Sequence, residues 1–147
     1  FKQKRTGWDG RSFYIHKLRT LSKLSDSSKT KQVESGDKRV LGIGLILRRL
    51  SIDELPQLFN VLKGEMSIVG PRPLVKYESD LLGEYQKDRH SVKPGITGLA
   101  QTQGRLDLSL QERLYWDLEY VNRYNLFLDL KIIFQTIMSV LSRKGAN

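Results

Sequence analysis

Apolar positions along this chain recur at helical spacing in four stretches. Leu55, Leu58, Phe59 and Leu62 follow the i, i+3, i+4, i+7 pattern of one helix face, and Lys63-Gly64 ends that run with a cation and a residue free to turn left-handed. Residues 66–69 form a short apolar run that reads as a buried strand. Gly70-Pro71-Arg72-Pro73 then holds one guanidinium between two prolines. Residues 74–89 read as one helix on the recurrence of Leu74, Tyr77, Leu81, Leu82 and Tyr85. Residues 109–124 read as another, striped by Leu110, Leu114, Tyr115, Leu118 and Val121. Residues 126–141 are apolar at eleven of sixteen positions, broken by Asp129 and Lys131; they fit a core helix or one lying in a membrane interface.

The remaining segments are punctuated differently. Lys2–Thr6 and 12–18 are candidate strands around Gly7-Trp8-Asp9-Gly10, whose Asp-Gly pair signals a β-hairpin turn. This hairpin carries Lys2, Lys4, Arg5, Arg11, Lys17 and Arg19. Residues 22–39 are polar, rich in Ser and Lys, and read as a mobile loop. Gly42 and Gly44 argue against helix at the start of the apolar run that follows, although 45–50 suit one. Ser51 offers a capping box to Glu54, but Pro56 would then sit where a backbone N–H is needed; a start near Leu55 removes that conflict. Both choices leave Asp53 and Glu54 at or just before a helix N-terminus. Pro94, Gly95, Gly98 and Gly104 punctuate 92–105 into a loop with many backbone amides free to face a ligand.

Composition narrows the class. The chain has 147 residues, 39% hydrophobic and 28% charged, which suits one globular domain of residues 1–147 with a real core. Twenty-five Lys and Arg against 16 Asp and Glu give a net charge of +9. That balance favours an anionic partner such as nucleic acid, anionic lipid or a phosphorylated small molecule. The absence of cysteine excludes a disulfide framework and a thiolate metal site. No stretch reaches the roughly 18 apolar residues of a membrane span. The chain opens directly on a strand without an initiator methionine, and we read it as part of a longer protein.

Three features point to chemistry. Asp53 and Glu54 can be a capping pair, stabilising a helix N-terminus by roughly 0.3–1 kcal/mol. The same field, with Arg48 nearby, would keep Asp53 ionised as a nucleophile for phosphoryl transfer, while Glu54 could hold a hard cation such as Mg²⁺. Arg72, frozen by its prolines, can serve a turn or grip a phosphate fork-fashion. Arg105 after Gly104, and Arg48 beside Arg49, allow the same two roles. His16 and His90 read as structural or solvated. The aromatic residues Tyr115, Trp116, Tyr120, Tyr124 and Phe127 suit core packing or an interfacial belt.

The run DELPQLFNVLKGEMSIVGPRP followed by KPGITGLAQTQGR closely resembles the bacterial sugar transferases, the monotopic polyprenol-phosphate phosphoglycosyl transferases. The similarity extends from Phe1 to Lys131, with 22–39 outside it. The resemblance implies transfer of a sugar-1-phosphate from a UDP-sugar to a polyprenyl phosphate with Mg²⁺, releasing UMP and starting exopolysaccharide, capsule, O-antigen or related glycan assembly. It places the family's acidic dyad on Asp53, the nucleophile that forms a phosphosugar intermediate, and Glu54, the Mg²⁺ ligand. It assigns Arg48, Arg72 and Arg105 to substrate phosphates. It also implies a hydrophobic re-entrant helix upstream of Phe1 and a location on the cytoplasmic face of the bacterial inner membrane. Leu99 and the KLRTL segment depart from the family's aromatic residue and KFRTM.

The expected fold is α+β, mainly helical, a single domain with an N-terminal hairpin and amphipathic membrane-interface helices. A non-catalytic basic module for membrane surfaces or nucleic acid is the competing reading. No dedicated nucleic-acid motif supports it, and we expect no nucleic-acid partner.

Overall fold

The computed structural model describes residues 1–21, 42–104 and 108–142. The expected loop at 22–39 and the candidate Arg105 lie outside those residues. The fold is α+β and mainly helical, as expected.

Strands β1 (Lys2–Thr6) and β2 (Ser12–His16) form the anticipated antiparallel hairpin, paired from Lys2 with His16 to Thr6 with Ser12. Asp9 and Gly10 supply the turn with φ of +51° and +72°. Alternation along β2 sends Phe13 and Ile15 inward, where they pack with Met66. Thr6 bridges to Leu74 and so docks the hairpin on the segment after the Pro-Arg-Pro turn.

Helix α1 (Gly42–Arg49) begins at the two glycines that argued against it. Gly44 is there for space rather than flexibility: a Cβ would lie 2.5 Å from the Thr20 carbonyl oxygen. A 3₁₀ turn (Ile52–Gln57) leads directly into α2 (Leu58–Leu62). The expected apolar face of this unit is turned outward. Phe59 is 64% and Leu62 84% exposed, and Leu55 and Leu58 are exposed too, whereas Asp53, Gln57 and Asn60 are buried. Asn60 explains the inversion. It is fully buried, its Nδ2 donates to the Tyr14 carbonyl at 2.8 Å and to Glu65 Oε2 at 2.7 Å, and its Oδ1 accepts from the His16 amide at 3.2 Å. One side chain thus satisfies an edge of β2, and the face it occupies must point inward.

Strand β3 (Ser67–Val69) pairs in parallel with β4 (Gly95–Thr97). The described part of the expected loop, residues 92–104, is therefore not a run of free amides. Gly95 N–H donates to the Pro71 carbonyl, Gly70 N–H donates to the Thr97 carbonyl, and α5 (Leu99–Gln103) follows at once. The crossover between these strands is also broken. Instead of one helix over 74–89 there are two short ones, α3 (Lys76–Asp80) and α4 (Tyr85–Arg89), separated at Gly83 with φ of +55°.

Helices α6 (Leu110–Arg123) and α7 (Leu126–Leu141) match their periodicity. Ser109 and Glu112 form a reciprocal capping box on α6. Ile132 and Tyr120 join Val69 in the second core cluster. Tyr120 Oη donates to Asp129 at 2.8 Å, and Thr97 and Thr136 hydroxyls meet at 2.7 Å, so α7 is latched to α6 and to β4. Only one side of α7 is covered: Phe127 is 87% exposed, and Leu126, Leu130, Phe134, Ile137 and Leu141 are exposed with it. Among the described residues no helix is long and apolar enough to cross a membrane.

The tight β3–β4 seam yields a contrast in glycine substitutions. A Cβ on Gly98 would lie 2.3 Å from the Gly70 carbonyl oxygen, while one on Gly10 meets nothing within 4 Å. Gly98→Ala is expected to lose roughly 1–3 kcal/mol or more through overpacking. Gly10→Ala should lose about 1 kcal/mol through its left-handed backbone alone. Urea unfolding midpoints measure the difference; equal losses would show that the seam is not tight.

Candidate active site

The site begins with a backbone turn. Ser51 adopts a left-handed conformation at φ +54°, and its carbonyl accepts from the Glu54 amide at 3.2 Å. The expected side-chain cap from Ser51 is not made, because the left-handed turn presents the Ser51 carbonyl in that role instead. The 3₁₀ turn carries Asp53 and Glu54 in its first turn and absorbs Pro56, so the pair does sit at a helical N-terminus. The Asp53 carbonyl also accepts from the Leu18 amide at 2.9 Å, which fixes the turn against the chain leaving β2.

Glu54 is the meeting point. Its Oε1 accepts from Lys17 Nζ at 2.7 Å and from Arg72 Nη2 at 2.9 Å. Burial opposes the Glu54 charge, but Arg72 and Lys17 outweigh it and hold the carboxyl well below the usual carboxylate range. For Lys17, burial and the Arg72 charge outweigh the attraction of Glu54 and bring the ammonium down to about 8. Arg72 is pushed up by Glu54 against its burial. Arg5 stands behind it, lowered to about 10 by burial and by Arg72, with Nη1 donating to the Pro73 carbonyl at 3.3 Å and Nη2 to Gln3 Oε1 at 2.5 Å.

Asp53 is buried at the edge of this cluster. Its pKa moves up, against the expectation that Arg48 and the helix end would keep it low. Burial is the largest cause and the Glu54 charge the next, and Lys17 and Arg48 pull the other way without winning. Arg48 is steered into range by Thr20, whose Oγ1 accepts from Arg48 Nε at 2.9 Å.

Asp53, Glu54, Arg48 and Arg72 are thus brought together. Lys17 and Arg5 enter the cluster too, though sequence reasoning counted them only as hairpin cations. No local signal marked Lys17, because its partner Glu54 stands 37 positions along the chain. His90 is buried, consistent with a structural role. Tyr120 belongs to the core, whereas Tyr124 and Phe127 are exposed. Among the described residues no group of three or more His, Cys, Asp or Glu could form a complete protein-only metal cage. Adjacent Asp53 and Glu54 are hard oxygen donors, which suits Mg²⁺ when substrate phosphates and water complete its shell.

Comparison with known proteins places this geometry in context. The model of the family described as bacterial sugar transferase matches residues 1–143. The uncharacterized sugar transferase EpsL of Bacillus subtilis (strain 168) is 46% identical over 145 residues, covering 99% of this chain and 71% of the relative. The UDP-glucose:undecaprenyl-phosphate glucose-1-phosphate transferase of Xanthomonas campestris pv. campestris is 44% identical, and the chain spans 32% of it. The protein of the same name from Caulobacter vibrioides is 42% identical, and the chain spans 58% of it.

The ion-pair cluster predicts a coupled titration. Glu54, held below its ordinary value of 4.5, contributes stability that is fully present above about pH 4.5 and is lost as the pH falls through its folded-state value. Glu54→Gln should remove that acid-side dependence. It should also lower Lys17 further, since Glu54 is the larger of the two charges that raise it and Asp53 the smaller. Lysine ¹³C NMR titration reads the shift; the same midpoint in native and variant protein rejects the pairing.

Proposed function

The chain belongs to the bacterial sugar transferase family, and from that membership we propose that it transfers a sugar-1-phosphate from a UDP-sugar to a polyprenyl phosphate, initiating glycan assembly such as exopolysaccharide synthesis. The observation that carries this reading is the buried Asp53 beside a Glu54 pinned by two cations. A diphosphate needs compensating positive charge and a nucleophile, and the cations around Asp53 support that reading.

In the proposed reaction an Asp53 carboxylate oxygen attacks the β-phosphorus of the UDP-sugar. The bond from that phosphorus to the bridging oxygen breaks, and UMP leaves with the oxygen and its electron pair. The sugar-phosphate is then esterified to Asp53. A polyprenyl phosphate oxygen attacks the same phosphorus, the bond to Asp53 breaks, and the carboxylate is regenerated as the diphosphate-linked sugar departs. Arg72 and Arg48 face the phosphates with Lys17 beside them, and Arg105, which lies outside the described residues, takes the same role by family resemblance. Mg²⁺, held through Glu54, supplies further charge neutralisation when bound.

The exposed face of α7 suits the second substrate. A row of Phe, Leu and Ile on a helix with a covered opposite side fits the headgroup boundary of a membrane, here the cytoplasmic membrane surface where a polyprenyl phosphate resides. The net charge of +9 adds attraction to anionic lipid.

Two outcomes test this reading. With the full-length protein in detergent, Mg²⁺, undecaprenyl phosphate and a panel of UDP-sugars, Asp53→Asn should abolish UMP release while circular dichroism stays native. A folded, active variant would sink the nucleophile assignment. Phe127→Glu with Phe134→Glu should weaken flotation of this chain with anionic liposomes by roughly tenfold, with the thermal midpoint unchanged. Undiminished flotation would remove α7 from the interface.

A further inference from the structure

The Pro-Arg-Pro turn is held in an unusual way. Pro71 and Pro73 have no N–H, so at those two residues the backbone can be hydrogen-bonded only through its carbonyls. Three elements take one each: the Gly95 amide donates to the Pro71 carbonyl at 3.0 Å, Arg89 Nη2 to the Arg72 carbonyl at 2.6 Å, and Arg5 Nη1 to the Pro73 carbonyl at 3.3 Å. The middle anchor is the costliest. Arg89 is 3% exposed and Asp117, from α6, 4%. Arg89 Nε and Nη2 both reach Asp117 Oδ2 at 2.8 Å. Apolar side chains of similar volume are often as stable as a buried ion pair or more so. Stability alone therefore does not account for a guanidinium here. What an apolar pair could not supply is the second donation of Nη2, to the backbone of Arg72.

We propose that Arg89, oriented by Asp117, is a positioning residue that sets the backbone of Arg72 and thereby aims the Arg72 guanidinium at the substrate phosphate. The path is short and continuous: α6 carries Asp117, Asp117 fixes the Arg89 fork, and the fork fixes the peptide from which the Arg72 side chain springs. Arg89 donates to Asp117 and to the Arg72 carbonyl rather than to Glu54. Its effect passes through Arg72, and the inference rests on the assignment of Arg72 to a substrate phosphate made above.

The test is a double-mutant cycle on UMP release by the full-length protein in detergent, with UDP-glucose as the probe, alongside thermal midpoints. Arg89→Lys keeps a cation against Asp117 but has no fork to reach the Arg72 carbonyl as well. Arg89→Met with Asp117→Leu replaces the pair by apolar volume. Either folded variant should lose on the order of tenfold to a hundredfold in kcat/KM, as small misplacements near the reacting groups do. The loss should divide between kcat and KM as it does for Arg72→Ala. Combined with Arg72→Ala, neither should lower activity further. Native activity in folded Arg89→Lys, or losses that multiply with that of Arg72→Ala, overturns the inference. A fully active Arg72→Ala protein would instead overturn the assignment of Arg72, and that single variant shows it without reference to Arg89.

Discussion

One carboxylate oxygen, Oε1 of Glu54, is shared by Lys17 and Arg72, and those three residues come from three otherwise separate pieces of chain. Lys17 follows the hairpin, Glu54 lies on the 3₁₀ turn and Arg72 sits on the Pro-Arg-Pro turn. The hairpin and the β3–β4 pair belong to different sheets. No ladder of backbone hydrogen bonds joins them into one; the Thr6 bridge to Leu74 docks the hairpin, and side-chain ties add to it. Glu54, half-buried at the site, reaches back to Lys17, and the fully buried Asn60 reaches back to β2. A single uncompensated charge at Glu54 would be expensive in such surroundings, which makes the two cations a structural necessity as well as a chemical one.

The same constraint explains why the apolar stripe of α2 faces outward. A helix can turn only one face to the core. Here that face carries Asp53, Gln57 and Asn60: Asn60 hydrogen-bonds to β2, and Asp53 lies beside the ion-pair cluster. Leu55, Leu58, Phe59 and Leu62 are left exposed. In a monomeric soluble domain such an arrangement would be a liability. Beside a membrane surface it is not, and the uncovered side of α7 is of the same kind.

How much of this was legible follows from the physics of each element. The hairpin, α6 and α7 were readable because their signals are local: an Asp-Gly turn and long periodic runs. The acidic pair and the clamped arginine were readable as chemistry because ordinary packing does not call for them. The orientation of α2 was not readable, since periodicity identifies an apolar face without saying whether water, lipid or protein will cover it. The break at Gly83 was missed because the apolar recurrence on either side outweighed one glycine. The parallel pairing of β4 was missed because its strand is three residues long and its glycines, which look like turn residues, are required by the closeness of Gly70. Lys17 and Arg5 became site residues only through contacts 37 and 68 positions along the chain, which no local pattern encodes.

The two adjacent carboxylates end up in unlike states, and the asymmetry follows from where their neighbours stand. Glu54 has two cations in direct contact and is held as an anion. Among the described residues no cation holds Asp53 in that way: Lys17 and Arg48 act on it as charges, and burial together with the Glu54 anion pushes its proton affinity up. Opposed environments on neighbouring titratable groups are how a site divides its roles. A carboxylate made more basic by desolvation and by an adjacent anion is a better nucleophile towards phosphorus than one neutralised by an arginine. On this view Glu54 serves the nucleophile we propose before any metal arrives. The cations that secure Glu54 keep its negative charge permanent, and that charge keeps the neighbouring Asp53 from being quenched by the arginines needed for the phosphates.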